Sequence, residues 1–148
     1  MGVMTAPENA PLASRHVSIW IETSPAVAYA YISDPANLTQ WAAGLADGEV
    51  RHVNGDWVVS SPMGEVRVEF APQNTFGVAD HTVRLADGRA FYNPLRIIPD
   101  GRHDQWCEVM FTVRRLPGVN DGAFEADVAA VAADLDTLRE ILATQRSR

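Results

Sequence analysis

Lysine is missing from this 148-residue chain: all twelve basic residues are arginine, nineteen acidic residues outnumber them, and the formal charge is −7. Nucleic-acid binding needs cations clustered against phosphates, so arginines scattered through an acidic chain exclude it as an expected partner. Cysteine is nearly absent too. The lone Cys107 cannot form an internal disulfide, and no Cys/His spacing of the zinc type surrounds it, so it reads as a small buried hydrophobe. No stretch reaches the roughly 20 consecutive apolar residues of a membrane span. Met1 to Ala13, with Pro7, Glu8, Asn9 and Pro11, also lacks the apolar run of a signal peptide. Residues 1–13 therefore read as a flexible tail preceding one domain over 14–148, with the cytoplasm as the expected address and no stable membrane insertion. A glycine-rich phosphate loop is absent, Ser60 and Ser61 lack a nucleophile-elbow context, and His16, His52 and His103 have no paired spacing. Neither a metal nor a cofactor is called for.

What the chain does contain is one long amphipathic helix after nearly ninety residues written mostly as strands. From Phe124 the large apolar residues fall at Val128, Val131, Leu135, Leu138 and Leu142, alternating steps of four and three that keep one helical face apolar. Such a helix needs a sheet to pack against. Upstream, Val17, Ile19 and Ile21 alternate with polar or exposed positions as a half-buried strand. Ser24-Pro25 and Asp34-Pro35 each start a short helix, the second ending near Trp41. Six strands are then expected: Glu49 to Val53, Trp57 to Ser61, Glu65 to Ala71, Phe76 to Leu85, Arg89 to Ile98 and Trp106 to Arg115. Their separators are turn chemistry, above all Asn54-Gly55 and Asp87-Gly88, with Met63-Gly64 and Gln73-Asn74 as further hairpin signals. Pro117-Gly118 ends the last strand, and Asn120 or Asp121 caps the long helix.

Sequential hairpins require an antiparallel meander, and about seven strands must curl. The expected class is α+β, a strongly curved antiparallel sheet wrapped around a long C-terminal helix. At this point the chain resembles the START-like superfamily, the polyketide cyclase and lipid-transport group with the helix-grip fold. The resemblance covers roughly Arg15 to Ala143. It rests on Ser33-Asp34-Pro35 with Leu38 and Trp41, on Phe76-Gly77-Val78 through Asp80-His81, on Val109-Met110-Phe111-Thr112, and on Pro117-Gly118 leading into the Asp134-Leu135 helix. It implies a cavity between sheet and helix, and it leaves function open, since the superfamily spans transporters, cyclases, receptors and chaperone regulators.

Two-residue turns fix pairing, and strand side chains alternate, so the lining of that cavity can be written down. The arithmetic pairs His52 with Trp57, Val59 with Val68, Val68 with Ala79 and Val83 with Tyr92. The concave face then carries Trp57, Ser61, His81, Tyr92 and Arg96, with Leu135 opposite on the helix, as the ligand-binding set. The same register turns Phe76, Val78, Phe91, Leu95 and Ile97 outward, a large apolar surface for a monomer. Either a homodimer covers it, or a bulge at Pro94 reverses the facing, admitting Leu95 and Ile97 and expelling Arg96. Trp41 is expected in the core beneath the cavity, and Asp134 and Asp136 on a solvated helix face.

The leading expectation is binding of a small hydrophobic or aromatic molecule, for transport or sequestration, because no complete catalytic constellation is visible. The resemblance also permits a cyclase or aromatase-like enzyme, in which His81 would shuttle a proton, Tyr92 polarise a carbonyl and Arg96 steady an enolate. A chaperone-interaction module is the third reading, suggested by the breadth of the superfamily it resembles and by the outward apolar set.

Overall fold

The computed structural model describes residues 10–146. The chain runs β1 (Ser14–Ile21), α1 (Pro25–Ile32), a 3-10 turn (Pro35–Asn37) continuing into α2 (Leu38–Trp41), β2 (Val50–Val53), β3 (Asp56–Ser61), β4 (Gly64–Phe70), β5 (His81–Leu85), β6 (Ala90–Asn93), β7 (Leu95–Pro99), β8 (Cys107–Arg114) and α3 (Asp121–Arg146). The helix starts follow the sequence signals. Ser24 Oγ accepts the Val27 amide, Asp34 accepts that of Ala36, and Asn120 Oδ1 accepts that of Ala123, each satisfying a donor that the helix leaves unpaired.

Among the described residues the strands are all antiparallel and form two sheets, β1-β8-β7 and β2-β3-β4-β5-β6, eight strands rather than about seven. The extra strand arises at Pro94, which has no amide hydrogen to give to a ladder and divides the expected Arg89 to Ile98 run into β6 and β7, one in each sheet. The three-stranded sheet holds the long helix: α3 packs on β1 and β8 and touches α2. Leu135, Leu138 and Leu142 of its seam join the core with Ile21, Val109 and Cys107 of that sheet and Ile32, Leu38 and Trp41 of the short helices; Phe124 is buried beneath the guanidinium groups of Arg15 and Arg115, and Val128 and Val131 are half-buried. Burial pushes the Cys107 thiol up to about 11, which suits its expected role as an inert hydrophobe. The cavity lies between the Asp127–Leu135 stretch of α3 and strands β5 and β6 of the five-stranded sheet.

The expected pairing of β2 with β3 is the observed one, His52 opposite Trp57 and Val50 opposite Val59. The next two hairpins slip by even numbers. Ser61 pairs with Gly64 and Val59 with Val66, two residues from expectation, because Pro62-Met63 is the turn. Val68 pairs with Val83, four residues away, because residues 72–79 loop around Asn74. The Asn74 side chain binds the carbonyls of Pro72 and Val78 and the amides of Phe76 and Val78, and so replaces a ladder with its own hydrogen bonds. Even slips keep each side chain on its face, so Glu65, Arg67 and Glu69 point outward as expected and Val59, Val66 and Val68 are buried.

The hairpin at Asp87-Gly88 slips by one, and that reverses everything after it. Leu85 and Arg89 close a three-residue loop in which Asp87 accepts the Arg89 amide and Gly88 takes φ +94°, so Val83 faces Phe91 and Thr82 faces Tyr92. Phe91, Asn93, Leu95 and Ile97 consequently turn inward, Leu95 and Ile97 completely buried, while Tyr92 and Arg96 turn out. No bulge at Pro94 is needed, because the pairing continues across it with Val78 opposite Arg96. The apolar surface that argued for a homodimer or a chaperone partner is thereby mostly internal; of that set only Phe76 stays fully exposed.

Candidate functional site

The cavity has a volume of about 1010 Å³. The inward positions of β5 and β6 (Val83, Leu85, Phe91), Phe111 and Val113 of β8, and Val131 and Leu135 of α3 give it apolar walls. Exposed or half-exposed residues border it, among them Leu12, Leu45, Met63, Asp87, Arg89 and Asp127. Ala10 to Leu12 border the opening; residues 1–9 of the expected tail lie outside the described residues. Such a space, predominantly apolar with a few fixed polar groups, has the size and character of a small-molecule site.

His81 is the buried polar group in its wall, 2% exposed. Its ring lies against Phe70, with centroids 4.9 Å apart, and edge-on to Phe111 at 6.0 Å. Nδ1 lies 3.1 Å from the Ala79 carbonyl oxygen, which can only accept, so Nδ1 carries the proton. Nε2 is then the lone-pair nitrogen, and the Asn93 group 3.4 Å from it must be the amide NH2 that donates. Burial lowers the imidazole pKa, opposed by the Ala79 hydrogen bond and the charge of Asp80, so the neutral form is the resting one.

Asp80, one residue earlier, faces the other side of the sheet and is 2% exposed. Its Oδ1 accepts the Leu95 amide at 2.8 Å and Arg96 Nε at 2.9 Å; its Oδ2 accepts Arg96 Nη2 at 2.8 Å and the Tyr92 hydroxyl. Burial alone would raise the carboxyl, but the bonds from Arg96, Tyr92 and Leu95 and the charge of Arg96 outweigh it and hold the group at about 2.

The expected ligand set is therefore split. His81 and Leu135 line the cavity. Tyr92 contributes to the wall near the rim, yet its ring is half-exposed and its hydroxyl is committed to Asp80. Arg96 lies outside, bound to the same carboxylate, because of the one-residue slip. Trp57 does not reach the cavity; it is half-buried and stacks on His52, centroids 4.6 Å apart, where the hairpin sets them face to face. Ser61 is buried, but its hydroxyl bridges the Gly64 carbonyl and the Met63 amide and so builds the β3-β4 turn.

Trp41 belongs to the core and also borders the cavity, its indole N–H buried without a partner among the described residues. Asp134 is not on a solvated face. It is half-buried at the rim, where burial raises its carboxyl against the opposing hydrogen bonds of the Ala43 and Gly44 amides, and it thereby ties the loop after α2 to α3. Sequence reasoning missed Asn93 and Phe91 as cavity residues, and the correct hairpin register is the signal that finds both. Among the described residues no group of three His, Cys, Asp or Glu side chains could hold a metal, and no helix is long and apolar enough to cross a membrane.

No family model matches the chain, and no curated protein matches it in sequence. Solved structures do match. A Bacillus thuringiensis protein superposes with a TM-score of 0.67 at 14% identity, covering 87% of this chain and 98% of its own. A START superfamily protein from Mycobacterium smegmatis gives 0.60 at 10% identity over 89% and 98%. A truncated norcoclaurine synthase from Thalictrum flavum gives 0.57 at 12% identity over 92% and 98%. At such identities the likeness is one of fold: the chain has the START-like helix-grip architecture.

Proposed function

We propose that this protein binds a small apolar or aromatic molecule in the cavity between the five-stranded sheet and α3, as a carrier or sequestering protein. The observation that carries the reading is the cavity itself: about 1010 Å³ of apolar-walled space, bordered by an exposed rim. START superfamily and synthase structures among its neighbours in fold are consistent with a ligand site at this place. A cyclase acting through His81, Tyr92 and Arg96 is less well supported, because the Tyr92 hydroxyl and the Arg96 guanidinium are engaged by Asp80 and only His81 retains a reactive atom toward the cavity side.

Titration with the neutral dye Nile red tests the reading. The native protein should give saturable, blue-shifted emission at one dye per chain, and Val131→Trp, which thrusts an indole into the apolar wall from α3, should weaken the binding while the protein stays folded. Unsaturable emission, or emission unchanged in Val131→Trp, would place the dye elsewhere and remove the cavity from the function. Native mass spectrometry of the purified protein would identify a ligand carried from the cell.

A further inference from the structure

We propose that the ligand is a neutral molecule carrying a hydroxyl group, received between His81 Nε2 and the Asn93 amide, and that carboxylate ligands such as fatty-acid anions are rejected. This rests on the ligand-binding reading and names the chemistry of that same site. Besides the Trp41 indole N–H, the polar side chains set into the wall away from the rim are the buried His81 and the half-buried Asn93. With Nδ1 donating to the Ala79 carbonyl, Nε2 is left as an acceptor, and its one partner among the described residues, the Asn93 amide nitrogen, is at the long distance of 3.4 Å. Asn93 adds a second N–H and a side-chain oxygen. A ligand hydroxyl would displace that long bond, donating to Nε2 and accepting from the freed Asn93 N–H, which suits a group that gives one proton and accepts another. A carbonyl can use only the donor, and a carboxylate would face two lone-pair atoms.

Charge points the same way. Of the arginines on the cavity border, Arg89 is paired with Asp87 at 2.8 Å, and Arg114 is exposed, with Nη1 bonded to Ser14 Oγ at 2.8 Å. Asp127 and Asp134 border the same opening. Among the described residues no cation stands inside to receive an anion drawn out of water, so its desolvation would go uncompensated.

Fluorescence titration at pH 7 with 1-pyrenol, 1-methoxypyrene, pyrene and 1-pyrenecarboxylate tests the proposal. Pyrenol should bind about fivefold more tightly than pyrene and methoxypyrene, the worth of one net hydrogen bond, and the carboxylate should bind most weakly. In His81→Phe, whose ring fits between Phe70 and Phe111, and in Asn93→Ala, the preference for pyrenol should vanish while pyrene binding remains. Equal affinity of pyrenol and pyrene for the native protein overturns the hydroxyl site and leaves the ligand-binding reading standing; tightest binding by the carboxylate overturns the charge selection. If no probe binds, the ligand-binding reading falls and this inference with it. Should both variants fail to fold, the native protein still decides: the 15N resonance of His81 Nε2 must move on adding pyrenol and not on adding pyrene, and a resonance that ignores pyrenol refutes the site.

Discussion

Asp80 grips Arg96 with both carboxylate oxygens, Oδ1 to Nε at 2.9 Å and Oδ2 to Nη2 at 2.8 Å, beside the point where the chain passes from one sheet to the other. Pro94 leaves the ladder short of a donor there, and the Asp80 side chain takes the Leu95 amide that follows. The carboxylate thus anchors the start of β7 while its sequence neighbour His81 faces the cavity from the same backbone. Structural and ligand-facing chemistry sit on adjacent residues because a strand sends them to opposite faces.

Replacing Asp80 with Asn should therefore lower stability in a pH-dependent way. The native carboxyl titrates at about 2, against 3.8 without its partners. A depressed folded value means stability that is fully present above the unfolded value and is lost as pH falls through the folded one. That difference corresponds to about 2 kcal/mol at neutral pH, reduced by solvent screening because the Arg96 side chain is 46% exposed. Asp80→Asn should melt roughly 5 °C below the native protein at pH 7. The gap should narrow as pH drops from about 4 to 2, measured by thermal unfolding across that range.

Tyr92 and Phe91 should exchange the roles that a two-residue turn would give them. The Tyr92 hydroxyl bonds Asp80 outside the cavity, so Tyr92→Phe should cost about 1 kcal/mol of stability and leave Nile red affinity unchanged. Phe91 lines the cavity, so Phe91→Ala should weaken dye binding by roughly tenfold, with denaturant titration and fluorescence read on the same samples.

Gly77 is expected to tolerate no side chain. It sits at φ +72°, and an added Cβ would lie 2.2 Å from the Ile97 carbonyl oxygen, which is backbone and cannot move aside. Gly77→Ala should destabilise by at least about 2 kcal/mol. Gly88, at φ +94° with open space around it, provides the contrast: Gly88→Asn should cost under about 1 kcal/mol, both read from denaturant midpoints.

The architecture was legible in the sequence because its signals are local: the Phe124 to Leu142 seam, the Ser24 and Asp34 caps, and alternation in Val17 to Ile21. The site was less so, because a strand's facing depends on loop length counted in single residues. Asn54-Gly55 made the two-residue turn expected of it, whereas Asp87-Gly88 sits in a three-residue loop in which the Asp87 side chain takes a backbone amide. That one residue moved Arg96 from the cavity to the outer face and brought Asn93 in. Slips of two and four at the preceding hairpins left Val66, Val68 and His81 facing as expected. The Asp80–Arg96 pair, sixteen residues apart and joined across a loop, has no periodic signature at all.

The buried His81 should make stability fall on mild acidification. Its folded pKa lies below the reference 6.5, chiefly because burial disfavours the imidazolium, with the Ala79 hydrogen bond and the Asp80 charge opposing. Below about pH 6.5 the unfolded chain takes up a proton at this residue that the folded one does not, so unfolding gains free energy as pH drops, until the folded value is reached. The sign is the same as for a depressed carboxylate, but the window opens two to three pH units higher. Denaturant titrations at pH 7.5, 6.5, 5.5 and 5.0 should show native stability declining through this range, and His81→Phe, which has no proton to take, should decline less. The difference between the two proteins isolates this residue, since His16, His52 and His103 are common to both. A His81→Phe profile parallel to that of the native protein would mean that the imidazole is protonated as readily inside the fold as outside it. It would also leave Nε2 protonated below about pH 6.5, where it could not accept a hydrogen bond from a ligand hydroxyl.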